Sequence, residues 1–207
     1  IYETLGTLLG GIVSTYIFVR YLHSFRITSL LLLLHVLAGL ILLLPYRSSG
    51  TFRKGVVALL LVLLPLSGYV LLGGPADRLH RYTVRAQWRG MEVAEYRNSR
   101  YGNICVVENE GQYIYFVDGS PGLMVPVPDS SAVEEFVHIP LLSHPEPEEV
   151  LVIGGGAGGV LDNILKHPPV ESATYVELDP LMLSLLRSHP TSLTEAELND
   201  ERVEVRH

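Results

Sequence analysis

The chain has 207 residues, 48% of them hydrophobic, and a formal net charge of −7. This length suffices for one soluble domain plus a second region. The acids lie mostly in the C-terminal half, which argues against a nucleic-acid partner there. The one cysteine, Cys105, excludes an internal disulfide and a cysteine-based zinc cluster.

Hydrophobic residues are concentrated in the first third of the chain, which is leucine-dense and nearly free of acids. Three apolar stretches, at about residues 2–19, 27–44 and 55–72, approach the length that a helix needs to cross a bilayer. Three such stretches in series are hard to explain as a soluble core, and a cleaved signal peptide would be a single segment. The sequence therefore predicts a transmembrane region of about three helices over residues 1–75, with the lipid bilayer as a partner.

The basic residues around these stretches predict an orientation, because cytoplasmic loops carry an excess of lysine and arginine. The arginines expected on the side of the soluble part are Arg20, Arg26, Arg78, Arg81, Arg85 and Arg89. They outnumber the basic residues expected on the other side, which are Arg47, Arg53 and Lys54. We therefore expect a multi-pass protein of the cell membrane whose soluble domain is cytoplasmic. Residues 76–90 form a basic juxtamembrane linker, either solvated or in contact with anionic headgroups.

From about Met91 the hydrophobic pattern changes to the period of two that is typical of strands. Strands are predicted at residues 93–96, 103–108 and 112–117. Residues 109–111, Asn-Glu-Gly, predict the hairpin turn between the second strand and the third. We expect an N-terminal β-strand domain over residues 91–147.

The segment after the third strand is predicted to be irregular. Asp118 and Gly119 form a turn, and three prolines predict a loop after it: Pro121, Pro126 and Pro128. A short helix is predicted at about residues 131–142 before His144-Pro145 ends it.

An apolar run at residues 150–153 has the length and the β-branched content of a buried strand. It leads directly into a glycine-rich loop, which is followed by a predicted helix at residues 160–166. Gly154, Gly156 and Gly159 fit the spacing G-x-G-x-x-G, in which glycines allow a tight turn and the close approach of a ligand to the backbone.

The next predicted strand, at residues 173–179, places Glu177 about twenty residues after the glycine loop, where a carboxylate can hydrogen-bond ribose hydroxyls. This order of elements favours a nucleoside cofactor over a tight structural turn: a strand, the glycine loop, a helix, a second strand and an acid. We predict an incomplete Rossmann-like cofactor-binding domain over residues 148–207. Asp179 either contacts the edge of the ligand or caps the helix that begins at Pro180, and the cap is favoured.

The order of features from about residue 95 to residue 207 resembles the spermidine synthase (polyamine aminopropyltransferase) family. The matching segments are residues 99–104, 116–119, 134–142, 144–147, 150–159 and 176–179. The attached apolar stretches resemble the membrane-bound branch found in bacteria and archaea. The resemblance implies an α/β fold with a truncated, methyltransferase-type Rossmann-like parallel sheet. A small antiparallel β domain and N-terminal transmembrane helices precede that sheet.

The resemblance implies a transferase of polyamine biosynthesis that binds decarboxylated S-adenosylmethionine or S-adenosylmethionine, with no metal. Its reaction would transfer an aminopropyl group to a small-molecule amine such as putrescine. Carried onto this chain, the cofactor-binding residues would be Gly154, Gly155, Gly156, Gly159, Glu177 and Asp179. Family members commonly dimerise, so a homodimer is expected by analogy.

A site for a polycationic amine needs several acids, because buried ammonium groups are costly unless they are paired. The acids that could form part of this site are Asp118, Asp129 and Glu134. Each also has a plainer explanation: Glu134 as a helix N-terminal acid, and the two aspartates as turn residues.

The chain departs from the family pattern on the amine side. Ala157 stands where the family loop has an aspartate for the aminopropyl end, and Ala132 where it has a tyrosine. Gly102 and Gly122 stand near the positions of expected glutamines. Three interpretations therefore remain: aminopropyl transfer, another S-adenosylmethionine-dependent transfer, and a non-catalytic nucleoside-binding membrane sensor or interaction module. NAD-dependent redox chemistry fits the glycine spacing alone and ranks below them.

The catalytic base is expected outside the chain as given. In the family the proton acceptor is an aspartate after the fourth strand of the Rossmann sheet. Residues 201–207 read as the third strand, so the base should lie beyond His207. We expect the chain to be a fragment that is inactive alone.

Overall fold

The computed structural model of the chain describes residues 2–43 and 50–207. The chain divides into two units, Ile1–Arg89 and Gly90–His207. Two residues used in the sequence predictions lie outside the described residues: Leu44, at the end of the second apolar stretch, and Arg47.

The first unit is helical in its described part. Its α-helices are α1 (Tyr2–Val13), α2 (Val19–Tyr21), α3 (Ser24–Leu43), α4 (Thr51–Leu72) and α5 (Pro75–Gln87), and a π-helical turn at Ser14–Phe18 joins α1 to α2. Helix α3 packs against α4, and α5 contacts both. Among the described residues, α3 and α4 are long and apolar enough to cross a membrane by length and composition. The first predicted stretch is also helical, but the π-helical turn divides it into segments that are each too short to cross a membrane.

The second unit begins with an antiparallel sheet. Its strands are β1 (Glu92–Asn98), β2 (Asn103–Asn109), β3 (Gln112–Val117) and β4 (Ser120–Val125), paired in the order β1-β2-β3-β4. The hairpin turns at 110–111 and 118–119 have positive φ at both central residues, as the tight turns that suit twisted strands require. The three strands predicted from the period of two are confirmed.

Strand β4 corrects one prediction, since the prolines had indicated an irregular loop there. Residues Ser120–Val125 instead pair with β3, including Pro121 opposite Phe116. A proline is tolerated because β4 is an edge strand, where a missing N–H does not break an interior ladder. The register also shifts between Tyr115 and Phe116, next to the proline.

A parallel sheet follows, with strands β5 (Glu149–Ile153), β6 (Ser172–Val176) and β7 (Val203–Arg206) in the order β5-β6-β7. The helices that accompany it are α6 (Ser130–Ser143), α7 (Val160–Leu165), α8 (Pro180–Ser188) and α9 (Ser192–Asn199). An antiparallel sheet followed by a parallel one agrees with the predicted α/β class. Helix α9 is absent from the predicted elements, although Thr191 and Thr194 form a capping box at its start.

Two hydrophobic clusters hold the second unit together. One lies on a face of the parallel sheet and joins Val152 and Tyr175 to α6 and α7 through Val137 and Leu161. The other joins the antiparallel sheet to α8, through the side chains Ile104, Val106, Tyr115, Val125, Ala157, Met182, Leu185 and Leu186. Because Ala157 belongs to the glycine loop, this second cluster also fixes the loop against β4 and α8.

Candidate functional site

The glycine loop and the predicted ribose-binding acid lie at one edge of the parallel sheet. Ile153 of β5 pairs with Val176 of β6, so both strands end side by side. The N–H of Gly154 donates a 2.8 Å hydrogen bond to the carbonyl of Val176. The carboxyl ends of parallel strands form the edge at which α/β proteins bind ligands. This edge is therefore the candidate site.

The loop needs glycine for packing as well as for ligand approach. A Cβ at Gly156 would collide with the ring of Tyr175, and one at Gly159 would lie 2.9 Å from Cγ of Pro128. Gly159 also has a φ of +97°, which side chains rarely adopt. Of the predicted glycines, Gly156 and Gly159 are buried, Gly154 is half-buried, and Gly155 is exposed. The first half of the loop therefore offers backbone to a ligand.

Glu177 follows β6 directly, and its carboxylate is held from two sides. Its Oε2 accepts a 2.6 Å hydrogen bond from the hydroxyl of Tyr175, and its Oε1 accepts a 3.1 Å bond from the N–H of Asp179. Burial, together with the bond to Glu177, raises the pKa of the Tyr175 hydroxyl, so the phenol remains a donor. Each carboxylate oxygen keeps a further lone pair, which suits it to accept from two ribose hydroxyls.

Asp179 caps helix α8, as the sequence favoured. Its Oδ1 accepts a 3.0 Å bond from the N–H of Leu181, and Pro180 occupies the first helical position. Its Oδ2 accepts a 2.6 Å bond from Oγ of Ser99, in the turn between β1 and β2. Asp179 thus connects the antiparallel sheet to the candidate site, and both of its oxygens are engaged by the protein.

The three acids predicted for the amine have the following surroundings. Asp129 caps α6 through a 3.3 Å bond from the N–H of Ala132. Asp118 is exposed and its Oδ1 accepts a 2.8 Å bond from the N–H of Asn103. Glu134 is exposed on α6. The plainer roles of the two aspartates are therefore present, whereas Glu134 lies beyond the first turn of α6.

Two of the departures from the family pattern have a physical cause in the packing. A Cβ at Gly102 would lie 2.7 Å from Oδ2 of Asp118, so a glutamine there would displace that carboxylate. Ala157 is only 3% exposed and packs within the apolar cluster that contains Met182 and Leu185. An ionised side chain at position 157 would be costly in these surroundings.

Glu197 also contacts the glycine loop, and it was not among the site residues predicted from the sequence. Glu197 of α9 is 1% exposed, and its Oε2 accepts a 2.9 Å bond from the N–H of Gly158. Its Oε1 accepts from the N–H groups of Gly159, at 2.7 Å, and Asp162, at 3.2 Å. Burial raises the pKa of Glu197, and the three N–H groups oppose that shift by favouring the carboxylate.

A sequence signal for Glu197 does exist. The capping box at Thr191 begins a helix at Ser192, and a period of 3.6 then puts Glu197 between Leu193 and Leu198 around the helix axis. An acid on the apolar face of a helix indicates a buried partner, here the N–H groups of the glycine loop.

Within residues 2–43 and 50–207, no group of three or more His, Cys, Asp or Glu side chains is arranged to hold a metal ion.

The fold and the site together define an α/β domain of Rossmann type with a nucleoside-compatible edge. Residues 130–207 match the family model described as the spermine/spermidine synthase domain. The resemblance predicted from the sequence is therefore confirmed: this part of the chain is similar to that family.

The relatives are transferases. The polyamine aminopropyltransferase of Bacillus mycoides (strain KBAB4) is 35% identical over 136 residues, which cover 64% of this chain and 44% of the relative. The enzyme of the same name from Bacillus subtilis (strain 168) is 35% identical over 125 residues, or 60% of this chain and 40% of the relative. The chain therefore spans less than half the length of these curated relatives.

Solved structures of spermidine synthases are also similar to this chain. The spermidine synthase from Thermotoga maritima is 31% identical, with a TM-score of 0.49, over 56% of this chain and 40% of that chain. A spermidine synthase in complex with the transition-state analogue AdoDATO is 31% identical, with a TM-score of 0.49, over 55% of this chain and 39% of that chain.

Proposed function

We propose that this chain is part of a membrane-anchored, spermidine synthase-like transferase that binds an S-adenosylmethionine-type cofactor. It transfers an aminopropyl group from decarboxylated S-adenosylmethionine to a small amine such as putrescine. The observation that carries the proposal is the carboxylate of Glu177, held by Tyr175 at the edge where the glycine loop exposes its backbone. The names of the relatives, polyamine aminopropyltransferases, support this reaction.

The residues of this chain have separate tasks in the proposed complex. Glu177 accepts from the ribose hydroxyls, and Gly154 and Gly155 let the adenosyl group lie close to the backbone. Asp179 keeps the end of β6 and the turn at Ser99 together, so that the antiparallel sheet borders the same edge. The bound cofactor supplies an electrophilic carbon beside a sulfonium sulfur.

The amine acceptor needs carboxylates, because an ammonium group loses its hydration on binding. Glu134, exposed on α6, is our first candidate for this role, and Asp118 and Asp129 contribute negative charge from their structural positions. A homodimer is part of the proposal by analogy with the family alone.

A second candidate is supported by Ala157. The side chain at this position of the loop is buried in an apolar cluster, so it offers nothing to a charged aminopropyl end. This favours a protein that binds an adenosyl group without transferring aminopropyl. Such a protein is either another S-adenosylmethionine-dependent transferase or a nucleoside-binding membrane sensor.

Membrane anchoring is supported by α3 and α4. Their most apolar windows have mean hydropathies of 2.2 and 2.5, yet only 11% and 6% of the residues in them are buried. A core helix of a soluble protein that is apolar on all sides would be mostly buried, whereas a membrane span exposes apolar side chains to lipid. We propose a multi-pass protein of the cell membrane whose C-terminal unit is cytoplasmic, following the arginine distribution.

Calorimetry tests the proposed ligand class on the full-length protein in detergent, with methylthioadenosine, S-adenosylmethionine and decarboxylated S-adenosylmethionine. Glu177→Gln removes the negative charge, and we expect affinity to fall about tenfold or more, since hydrogen bonds to charged groups are the stronger ones. The matched control is Glu171→Gln, because Glu171 is exposed immediately before β6.

The outcomes separate the candidates. Tighter binding of decarboxylated S-adenosylmethionine than of S-adenosylmethionine supports aminopropyl transfer. Equal or reversed affinities favour the second candidate. If none of the three nucleosides binds, both are wrong.

A further inference from the structure

The glycine loop already holds an anionic group of its own protein. Glu197 accepts from the N–H groups of Gly158 and Gly159 in the loop and from that of Asp162 in the first turn of α7. The N–H of Leu161 donates instead to the carbonyl of Gly156, at 3.0 Å. In other proteins, the backbone N–H groups of a glycine-rich loop and of the helix start bind an anion of the ligand. In this chain the carboxylate of Glu197 takes that place.

This arrangement differs from what a dinucleotide-binding loop requires. In such a loop, the diphosphate of the ligand lies at the start of the helix and takes these same backbone donors. Here both oxygens of Glu197 use those donors, and the side chain is 1% exposed. A phosphate would have to displace a buried carboxylate, or lie beside it with the same sign of charge in surroundings of low dielectric.

We propose that Glu197 determines the ligand class of the glycine loop by occupying its anion-binding position. The loop then accepts an adenosyl group whose 5′ substituent is uncharged or cationic, and it rejects nucleotides that carry a 5′ phosphate or diphosphate. This inference deepens the proposed function and rests on it. Glu197 is a specificity-determining and positioning residue, because it acts on the ligand through the loop.

Glu197 also distinguishes two ligand classes that the glycine spacing leaves open. The spacing of Gly154, Gly156 and Gly159 is shared with loops that bind NAD, and the spacing alone does not separate the two ligand classes. The residue that separates them lies on α9, 38 positions after Gly159. A thioether or sulfonium nucleoside has no phosphate, so the filled anion position does not obstruct it.

The test compares methylthioadenosine with ADP, which share the adenine and the ribose hydroxyls and differ in the 5′ substituent. Calorimetry is carried out on the full-length wild-type protein, on its Glu197→Ala variant, and on its Glu195→Ala variant, which changes an exposed position of the same helix. In Glu197→Ala we expect the ratio of the ADP to the methylthioadenosine dissociation constant to fall about tenfold or more, since charge-assisted bonds are released to the phosphate. Glu195→Ala should keep the wild-type ratio. An unchanged ratio in a folded Glu197→Ala protein overturns the inference.

A second measurement uses the wild-type protein and so does not depend on the folding of a variant. The backbone amide resonances of Gly158, Gly159 and Asp162 are followed while ADP or inorganic phosphate is added. We expect them to stay unperturbed and protected from hydrogen exchange, because Glu197 retains the donors. Displacement of these resonances by either anion overturns the inference.

The two proposals fail in different ways. If the wild-type protein binds no thioether nucleoside, the proposed function is wrong. The role of Glu197 is then still decided by the amide resonances: unperturbed amides support it, and phosphate-perturbed amides overturn it.

Discussion

The hydroxyl of Tyr175 donates a 2.6 Å hydrogen bond to Oε2 of Glu177, two residues further along the chain. The same tyrosine ring lies against Gly156, where a Cβ would collide with it. One fully buried side chain therefore supports both the acid and the glycine loop of the candidate site. The positions of Glu177 and of the glycine loop therefore depend on each other through the Tyr175 ring.

Removing the Tyr175 hydroxyl should weaken ligand binding more than it weakens the fold. Tyr175→Phe keeps the ring under Gly156 but leaves Glu177 with one tether, so we expect the affinity for methylthioadenosine to fall about threefold to tenfold. Calorimetry measures the change. The control is Tyr115→Phe, since Tyr115 is equally buried but contacts the carbonyl of Leu185 instead. Equal losses in both variants would contradict a specific role for the Tyr175 hydroxyl.

A side chain at Gly156 should destabilise the C-terminal unit. Gly156→Ala forces a methyl group into the Tyr175 ring, and overpacking of this kind costs about 1–3 kcal/mol. The midpoint of denaturant unfolding should fall accordingly. Gly122→Ala is the matched control, because a Cβ there would lie 3.5 Å from its nearest neighbours, which is ordinary contact. If Gly156→Ala is no less stable than Gly122→Ala, the inference that the glycine loop packs closely on the Tyr175 ring is wrong.

The sequence predicted the parallel strands, the glycine loop and the place of Glu177, because these follow from local patterns. Apolar runs, glycine spacing and a strand-ending acid are all visible within about thirty residues, the length of a βαβ unit. Asp179 as a cap follows in the same way from the adjacent Pro180.

The elements that escaped prediction depend on contacts distant in the sequence. Strand β4 forms despite Pro121 because its place at the sheet edge is a property of the whole sheet. Glu197 reaches Gly159 across 38 positions, and no local pattern pairs the two. The surroundings of Ala157 also become apolar only when α8 packs onto the antiparallel sheet.

The bond between Asp179 and Ser99 should couple the two sheets of the C-terminal unit. Asp179→Ala removes a helix cap and should cost about 1 kcal/mol or more of unfolding free energy, since a cap alone is worth that much. Ser99→Ala should cost less. In the double variant the losses should not add, because both substitutions remove the same 2.6 Å bond. Denaturant unfolding of the four proteins measures the coupling, and strictly additive losses would contradict it.

The contact between α5 and the start of α3 should weaken in acid. Asp77 lies 2.7 Å from Nε2 of His23 and 2.7 Å from Nη2 of Arg26, and these two bonds lower the pKa of its carboxyl from the usual 3.8. A lowered pKa means that the folded state binds fewer protons, so the stabilisation is present above pH 3.8 and disappears as the pH falls through the lowered value.

Thermal unfolding of the wild-type chain and of Asp77→Asn, followed by helical circular dichroism, measures this effect. The wild-type advantage should be present at pH 5 and should shrink as the pH falls below 3.8. An advantage that persists unchanged at the lowest pH would show that Asp77 acts without its charge.

The orientation of the C-terminal unit can be tested with reporters fused after His207. Green fluorescent protein fluoresces when it folds in the cytoplasm, and alkaline phosphatase is active when it is exported. We expect fluorescence and no phosphatase activity, because the arginines of α5, together with Arg20 in α2 and Arg26 at the start of α3, favour the cytoplasmic side. Replacing Arg78, Arg81 and Arg85, all exposed on α5, with glutamine should raise the exported fraction. The matched control replaces Arg53 and Lys54 at the start of α4 and should not raise it. Phosphatase activity of the wild-type fusion would mean that the C-terminal unit lies outside the cytoplasm.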